Sequence, residues 1–179
     1  MKGLYHFQTL FSRYVFQFDK LNYFKNKKKN SDQCILCDIL KKGENSLLIY
    51  NSKLISAVVN LYPYNSGHIM LFPNRHIESY LEINDEENYH IFVLNKFFID
   101  AIDSIYKPSG FNIGMNIGKN SGASIKHIHQ HIVPRFENEL GMIDIIGGSK
   151  VIVESPIVTM QKLKNFVEKN IKQLTKNLK

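Results

Sequence analysis

Three histidines at alternate positions, in the run His-Ile-His-Gln-His over residues 127–131, are the side chains in this sequence best suited to chemistry. Side chains of a β-strand alternate between its two faces, so this spacing predicts that His127, His129 and His131 point the same way. The isoleucines between and after them would then face a core. The β-branched neighbours and the closing Pro134 favour a strand over a helix.

Two kinds of chemistry fit such a row. Three imidazoles can bind a metal on one side and leave an open position for water. Alternatively, a neutral His129 attacks phosphorus while its neighbours donate hydrogen bonds to phosphate oxygens or to the leaving group. The Gly/Ser-rich segment 118–124 precedes the row. It favours the second chemistry, because small residues let backbone N–H groups approach an anion closely.

A second candidate site is the pair Cys34 and Cys37, the only cysteines in the sequence. A Cys-x-x-Cys pair fits a redox centre, a metal site or chance. No zinc-finger spacing of cysteine and histidine follows within 30 residues, so further ligands would come from distant segments. His76 and His127 are the candidates.

The elements that must position these side chains indicate a mixed α+β domain. The clearest helix spans residues 85–106, with Asn84 or Asp85 as its cap, and a last helix begins after Ser155. Strands come first and are followed by helix, strand and strand, which favours an antiparallel sheet over alternating βαβ units. Apart from the histidine row, strands are predicted at 46–50, 54–60, 67–72 and 111–117, with a short one within 143–153.

The net charge of +7 is concentrated at the two ends of the chain. Residues 1–30 hold seven basic residues against one acidic, and residues 161–179 hold six against one, so the middle is mildly acidic. We therefore expect an N-terminal helix and basic linker at 1–32, a compact body at 33–155, and a basic helix at 156–179. The acidic body argues against nucleic acid as a partner.

No stretch of the sequence approaches the roughly 18 apolar residues that a membrane-spanning helix needs. The first twenty residues are rich in aromatics but are interrupted by His6, Gln8 and Arg13, so they lack the core of a signal peptide. With so few cysteines, these features predict a cytoplasmic protein that does not associate with membranes.

The histidine row and its surroundings resemble the signature of the histidine triad (HIT) superfamily of nucleotide hydrolases and transferases. The similarity extends to residues 60–73, to 110–124 and to 145–150, and it covers roughly 33–155. These stretches resemble the bacterial diadenosine tetraphosphate phosphorylase branch. The resemblance implies a five-stranded antiparallel sheet with flanking helices, paired as a homodimer whose sheets join.

The resemblance also implies roles for individual residues. His129 matches the residue that takes up a nucleotidyl group as a covalent phosphoramidate, and His131 matches the one that contacts the phosphate and helps the leaving group. Gln130 departs from the pattern, which prefers an apolar residue; its amide needs a hydrogen-bond partner, and we expect it near a subunit interface. Matches to nucleotide and phosphate contacts are Asn60 (ribose hydroxyl), His68, Asn116, Gly122, Ala123, Ser124 and Ile125.

Several HIT proteins carry zinc on a matching Cys-x-x-Cys pair, a histidine after a proline, and the first histidine of the row. This implies a structural zinc ion on Cys34, Cys37, His76 and His127. The expected activity is cleavage of an adenine dinucleoside polyphosphate, such as diadenosine tetraphosphate, by phosphate or water, with magnesium accompanying the substrate. The alternatives are adenosine phosphoramidate hydrolysis, a metallohydrolase that uses all three histidines, and non-catalytic binding of nucleotides or nucleic acid.

Overall fold

The computed structural model describes residues 34–43, 46–137, 139 and 152–178. The predicted N-terminal helix and linker, and most of the strand expected within 143–153, lie outside these residues. All of the described residues belong to one compact unit.

The described residues contain five strands: β1 (Leu48–Asn51), β2 (Ile55–Val59), β3 (Ile69–Pro73), β4 (Gly110–Met115) and β5 (Gln130–Arg135). They form one antiparallel sheet in the order β1-β2-β3-β5-β4. Strands β1 and β2, both predicted from the sequence, pair as an antiparallel hairpin, and the expected α+β architecture is confirmed. Strand β5, which contains part of the histidine row, lies between β3 and the outer strand β4.

Three α-helices flank the sheet within the described residues: α1 (Ile35–Lys42), α2 (Asp85–Tyr106) and α3 (Pro156–Asn177). Helix α2 has the predicted bounds because Asn84 and Glu87 exchange side-chain and backbone hydrogen bonds in a capping box. None of the described helices is long and apolar enough to cross a membrane. Short 3₁₀ turns occur at Tyr80–Glu82 and Lys119–Ser121.

The two faces of the sheet differ. Helices α2 and α3 cover one face and enclose the main core, in which Phe98 is fully buried. Helix α1 packs on a smaller cluster that includes Met70 and Phe72. Because His131 pairs directly with Met70 in register, it lies on this second face. The histidine site is therefore on the side of the sheet away from the two long helices.

The buried apolar face of helix α3 is narrower than its sequence pattern predicts. Ser155 caps it as expected, and Leu163, Val167 and Leu174 enter the main core. The helical spacing of Ile157 and Ile171 predicts that they share this face, but both are exposed. Within the described residues the helix meets mainly β1, β2 and α2, and this contact covers only a narrow stripe of its surface.

The prediction that all three histidines lie on one face of one strand is wrong. Strand β5 begins at Gln130, so residues 127–129 precede the strand and only His131 lies in it. The physical reason is a competing hydrogen bond, since the N–H of Ile128 donates to the carbonyl of Ile77 instead of to a neighbouring strand. The isoleucines of the row do face the core, as expected.

The turn that leads into β3 requires a glycine at position 67, and a substitution there tests this requirement. The φ of Gly67 is +86°, and a Cβ atom there would lie 3.2 Å from side-chain atoms of both Pro134 and Tyr106. We expect Gly67→Ala to lower the free energy of unfolding by roughly 2–4 kcal/mol, measured by urea denaturation. Gly114→Ala is the matched control, because its Cβ would meet nothing within 4 Å, and we expect a change of at most about 1 kcal/mol. Equal effects of the two substitutions would contradict this account of the turn.

Candidate active site and metal centre

Four side chains that could bind a metal meet from three distant segments. Cys34 precedes α1, Cys37 lies in its first turn, His76 follows β3, and His127 lies just before β5. One ligand atom from each lies within 4.8 Å of the others. The structure thus brings together the four residues that the HIT resemblance implied.

The ring of His127 is oriented by a backbone carbonyl. Its Nε2 lies 2.9 Å from the carbonyl oxygen of Pro73, which can only accept, so the ring proton is on Nε2. Its Nδ1, which keeps the lone pair, lies 3.4 Å from Sγ of Cys34 and 3.6 Å from Sγ of Cys37. A hydrogen bond on the far nitrogen is the usual way in which a metal-binding histidine is fixed.

His76 faces the cluster in the same manner. Its Nδ1 lies 3.4 Å from Sγ of Cys37, and its Nε2 lies 3.4 Å from the Glu78 carboxylate. The segment is held by the preceding residue, because Arg75 forms an ion pair with Glu87 at the start of α2, with Nε and Oε1 2.6 Å apart. Both histidines therefore direct Nδ1 toward the sulfurs.

The chemistry of this donor set suits a tetrahedral metal ion. Burial, together with the hydrogen bond and charge of Cys34, raises the pKa of the Cys37 thiol to about 11, so without a cation this sulfur keeps its proton. A soft divalent cation such as Zn²⁺ displaces thiol protons, and two thiolates with two imidazoles complete its coordination. The cluster could therefore hold a metal.

His129 has a defined proton position. Its Nδ1 lies 2.8 Å from the carbonyl oxygen of His127, so Nδ1 carries the proton and Nε2 carries the lone pair. The side chain is only 4% exposed, and burial lowers its pKa, so the ring is neutral at pH 7. A neutral imidazole held in this way can act as a nucleophile or a ligand through Nε2.

His131 has the opposite tautomer because of a chain of hydrogen bonds. The backbone N–H of Tyr64 donates to Nδ1 of His68 at 3.0 Å, so the proton of a neutral His68 is on Nε2. That Nε2 lies 2.9 Å from Nδ1 of His131, which must accept, so His131 carries its own proton on Nε2. The neighbouring rings of His129 and His131, with centroids 4.8 Å apart, thus offer one lone pair and one N–H donor.

His68 lies behind His131 and not at the surface of the site. It is fully buried, and the Tyr64 ring stacks on it with centroids 4.9 Å apart. Burial, with the nearby histidines, lowers the pKa of His68 to about 3, and burial likewise lowers that of His131 to about 4. Both rings are therefore neutral at pH 7, as the hydrogen-bond chain requires.

The other predicted nucleotide contacts lie on segments around these histidines. Asn60 follows β2, and its N–H donates to the carbonyl of His68, so the two residues are brought together. Asn116 follows β4 directly, and Gly122, Ala123, Ser124 and Ile125 lie in the connection between β4 and β5. Gly118 and Gly122 have φ values of +82° and +89°, which explains glycine at these two turns.

Sequence reasoning missed two groups that orient the histidines: the N–H of Tyr64 and the carbonyl of Pro73. Both are backbone atoms, so no side-chain type marks them. The available signal is position, since Tyr64 lies four residues before His68 in a turn that contains proline and glycine. The amide of Gln130 has the hydrogen-bond partner that it needs, because its Nε2 donates to Oδ1 of Asn95 in α2. Its expected place near a subunit interface stays a prediction.

The HIT domain family model matches residues 41–138, more than half of the chain. This chain belongs to the HIT family. A relative from Mycobacterium tuberculosis named AP-4-A phosphorylase is 41% identical over 110 residues, covering 61% of this chain and 56% of that protein. This HIT protein therefore matches little more than half the length of that relative. The sequence-based prediction of the family is confirmed.

Solved structures share the HIT fold. A histidine triad nucleotide-binding protein from Sulfolobus tokodaii has a TM-score of 0.64 at 24% identity, covering 78% of this chain and 95% of that one. A zinc-bound histidine triad protein from Mycobacterium smegmatis has a TM-score of 0.64 at 19% identity, covering 80% and 99%. At these identities the two structures show the fold alone.

The neutral histidines predict a pH dependence of stability. The pKa values of His68 and His131 in the folded protein lie below the ordinary value near 6.5, so the unfolded chain binds protons that the native state does not. Stability therefore rises with pH between about 4 and 6.5. We expect the free energy of unfolding to fall by roughly 1–2 kcal/mol per unit as the pH drops from 6.5 to 5, measured by urea denaturation. An NMR titration that shows His131 gaining a proton near pH 6.5 would contradict this.

Proposed function

We propose that this HIT protein cleaves dinucleoside polyphosphates by transferring a nucleotidyl group to His129. The observation that carries the proposal is the pair of opposite tautomers on adjacent rings, His129 with a lone pair on Nε2 and His131 with an N–H on Nε2. Displacement at phosphorus needs one group to attack and another to donate to the departing oxygen. The name of the 41% identical relative supports diadenosine tetraphosphate as the substrate.

In the first step, Nε2 of His129 attacks the α-phosphorus of the adenine nucleotide. A phosphorus–nitrogen bond forms, the bond to the bridging oxygen breaks, and its electron pair leaves with the remaining polyphosphate. The Nε2–H of His131 donates a hydrogen bond to this oxygen. In the second step phosphate or water attacks the phosphoramidate and restores His129. Phosphorolysis yields a nucleoside diphosphate and a triphosphate, whereas hydrolysis yields a monophosphate and a triphosphate.

Each surrounding group has a role in this scheme. The His127 carbonyl accepts a hydrogen bond from the Nδ1–H of His129, and it stabilises the positive charge that the ring acquires on attack. His68 positions His131 and does not contact substrate, because it is fully buried behind it. We assign Asn60 to the ribose hydroxyl. Asn116 and the segment 122–125 would contact the nucleotide and its phosphates, with magnesium as the counter-ion of the polyphosphate.

We propose zinc as the metal of the Cys34, Cys37, His76 and His127 cluster. The donor set fills a tetrahedron, so the ion would cross-link three segments and hold the ring of His127 in place. The same geometry argues against a catalytic metal on the three histidines of the row, because Nδ1 of His127 faces the cysteines.

We further propose a homodimer in which β4 of one copy pairs with β4 of another. Strand β4 is one of the two edge strands of the sheet, so one side of its backbone has no ladder partner within the described residues. Ile113, in the middle of this strand, is 44% exposed, which suits burial against a second copy. A cytoplasmic location stays a prediction.

The nucleophile assignment predicts a covalent adduct. On incubation with diadenosine tetraphosphate and rapid quenching, we expect an adenylyl group on the peptide that contains His129, detected by mass spectrometry. His129→Ala should lack the adduct and lose at least about 10³-fold in turnover, since the attacking atom is gone. His131→Asn, with the nucleophile intact, should still form the adduct, but more slowly.

The assay should be run with and without inorganic phosphate, because the products identify the acceptor. Turnover of His129→Ala near the wild-type rate would contradict the proposed mechanism. If the protein cleaves adenosine phosphoramidate but not the dinucleotide, and does so through the same His129 adduct, the proposed substrate class is wrong. The assignment of His129 as the nucleophile would still hold.

The metal assignment is tested by elemental analysis. We expect about one zinc ion per purified chain, and a cobalt-substituted protein with thiolate-to-cobalt charge-transfer absorption. Cys34→Ser should lose most of the zinc and this absorption, because a neutral hydroxyl replaces the thiolate. Ser52→Ala, which changes a residue outside the cluster, should keep both. A Cys34→Ser protein with full zinc content would rule out this ligand set.

A further inference from the structure

Gln130 is a buried amide in a row of apolar side chains. It is 8% exposed, while Ile128 and Ile132 on either side of it are 2% and 0% exposed. Its Nε2 donates to Oδ1 of Asn95 in helix α2 at 2.5 Å. Burying an amide costs free energy that an aliphatic side chain of similar size would not, and one hydrogen bond offsets only part of this cost. The pair therefore calls for a role other than stability.

A buried polar pair can specify alignment, because its hydrogen bond is satisfied in one register only. Register is decisive at this point in the sheet. A slip of one residue in β5 would turn His131 to the face covered by the long helices. Gln130 is the first residue of the strand and pairs with Leu71 on β3 and Met115 on β4. It marks the place where the irregular segment 127–129 joins the ladder.

Strand β4 adds little to this specification on the histidine face. Two of the three β4 residues on this face are glycines, Gly114 opposite His131 and Gly110 opposite Arg135, and only Asn112, opposite Val133, has a side chain. Glycines provide no side chain for cross-strand packing, and glycine-rich strands are prone to slip. On the opposite face, the hydrogen bond from Gln130 to Asn95 in α2 can fix the register that β4 leaves weakly specified.

We propose that Asn95 and Gln130 are positioning residues that fix the register at which β5 enters the sheet, and with it the placement of His129 and His131. Neither amide contacts the substrate. The inference rests on the proposed function for its effect on turnover, whereas its effect on the histidines is independent of any substrate.

The test uses Gln130→Met, which keeps the chain length and removes the amide. We expect kcat for diadenosine tetraphosphate to fall about ten-fold or more, because small displacements of reacting groups are costly, while KM stays within about two-fold. In ¹⁵N NMR spectra of the resting protein, we expect the single set of His131 ring signals to broaden or double. Ile132→Val, on the same strand and face, should lower stability slightly and leave both kcat and the His131 signals unchanged.

Asn95→Ala should reproduce the effects of Gln130→Met, and the double variant should lose no more than either single variant, since both remove one interaction. A Gln130→Met protein with wild-type kcat and one unchanged set of His131 signals would overturn the proposal, as would additive losses in the double variant. The NMR arm requires no substrate. If the wild-type protein does not cleave the dinucleotide, the proposed function is contradicted. Disturbed His131 signals in Gln130→Met would in that case still support the positioning role.

Discussion

The site depends on His127, whose side chain and backbone carbonyl each take part in a different part of it. The ring of His127 reaches two cysteines about ninety positions earlier in the chain, and its backbone carbonyl accepts a hydrogen bond from the ring Nδ1–H of His129 at 2.8 Å. Where the ring is held decides where the carbonyl lies, and the carbonyl decides which nitrogen of His129 carries a lone pair. The candidate metal centre and the candidate nucleophile are thus joined through a single peptide unit.

A second constraint is that a neutral imidazole has one nitrogen that donates and one that accepts, and its hydrogen-bond partners decide which is which. The chain from Tyr64 through His68 to His131 meets this condition in one direction, because it starts at a backbone N–H that can only donate. The hydrogen bond from His129 to a carbonyl meets it in the other direction. Two backbone groups therefore give neighbouring histidines complementary roles.

Much of the fold follows from local signals in the sequence. The bounds of α2 are set by the capping residue Asn84 and by the acidic first turn, and both are visible in the sequence. The start of β5 was not predictable in this way. An alternating pattern reports faces only where the backbone is extended, and residues 127–129 bond instead to the distant residues Ile77 and Pro73. The four-residue metal cluster came from family resemblance, because no local spacing links Cys37 to His76.

The central claim is that His129 and His131 have opposite tautomers at neutral pH. Long-range ¹H–¹⁵N correlation spectra of the histidine rings in the resting protein test it most directly, because they distinguish a protonated nitrogen from one with a lone pair. The account predicts a protonated Nδ1 and a bare Nε2 on His129, and the reverse on both His131 and His68. The same tautomer on His129 and His131, or a positively charged ring on either, would contradict it.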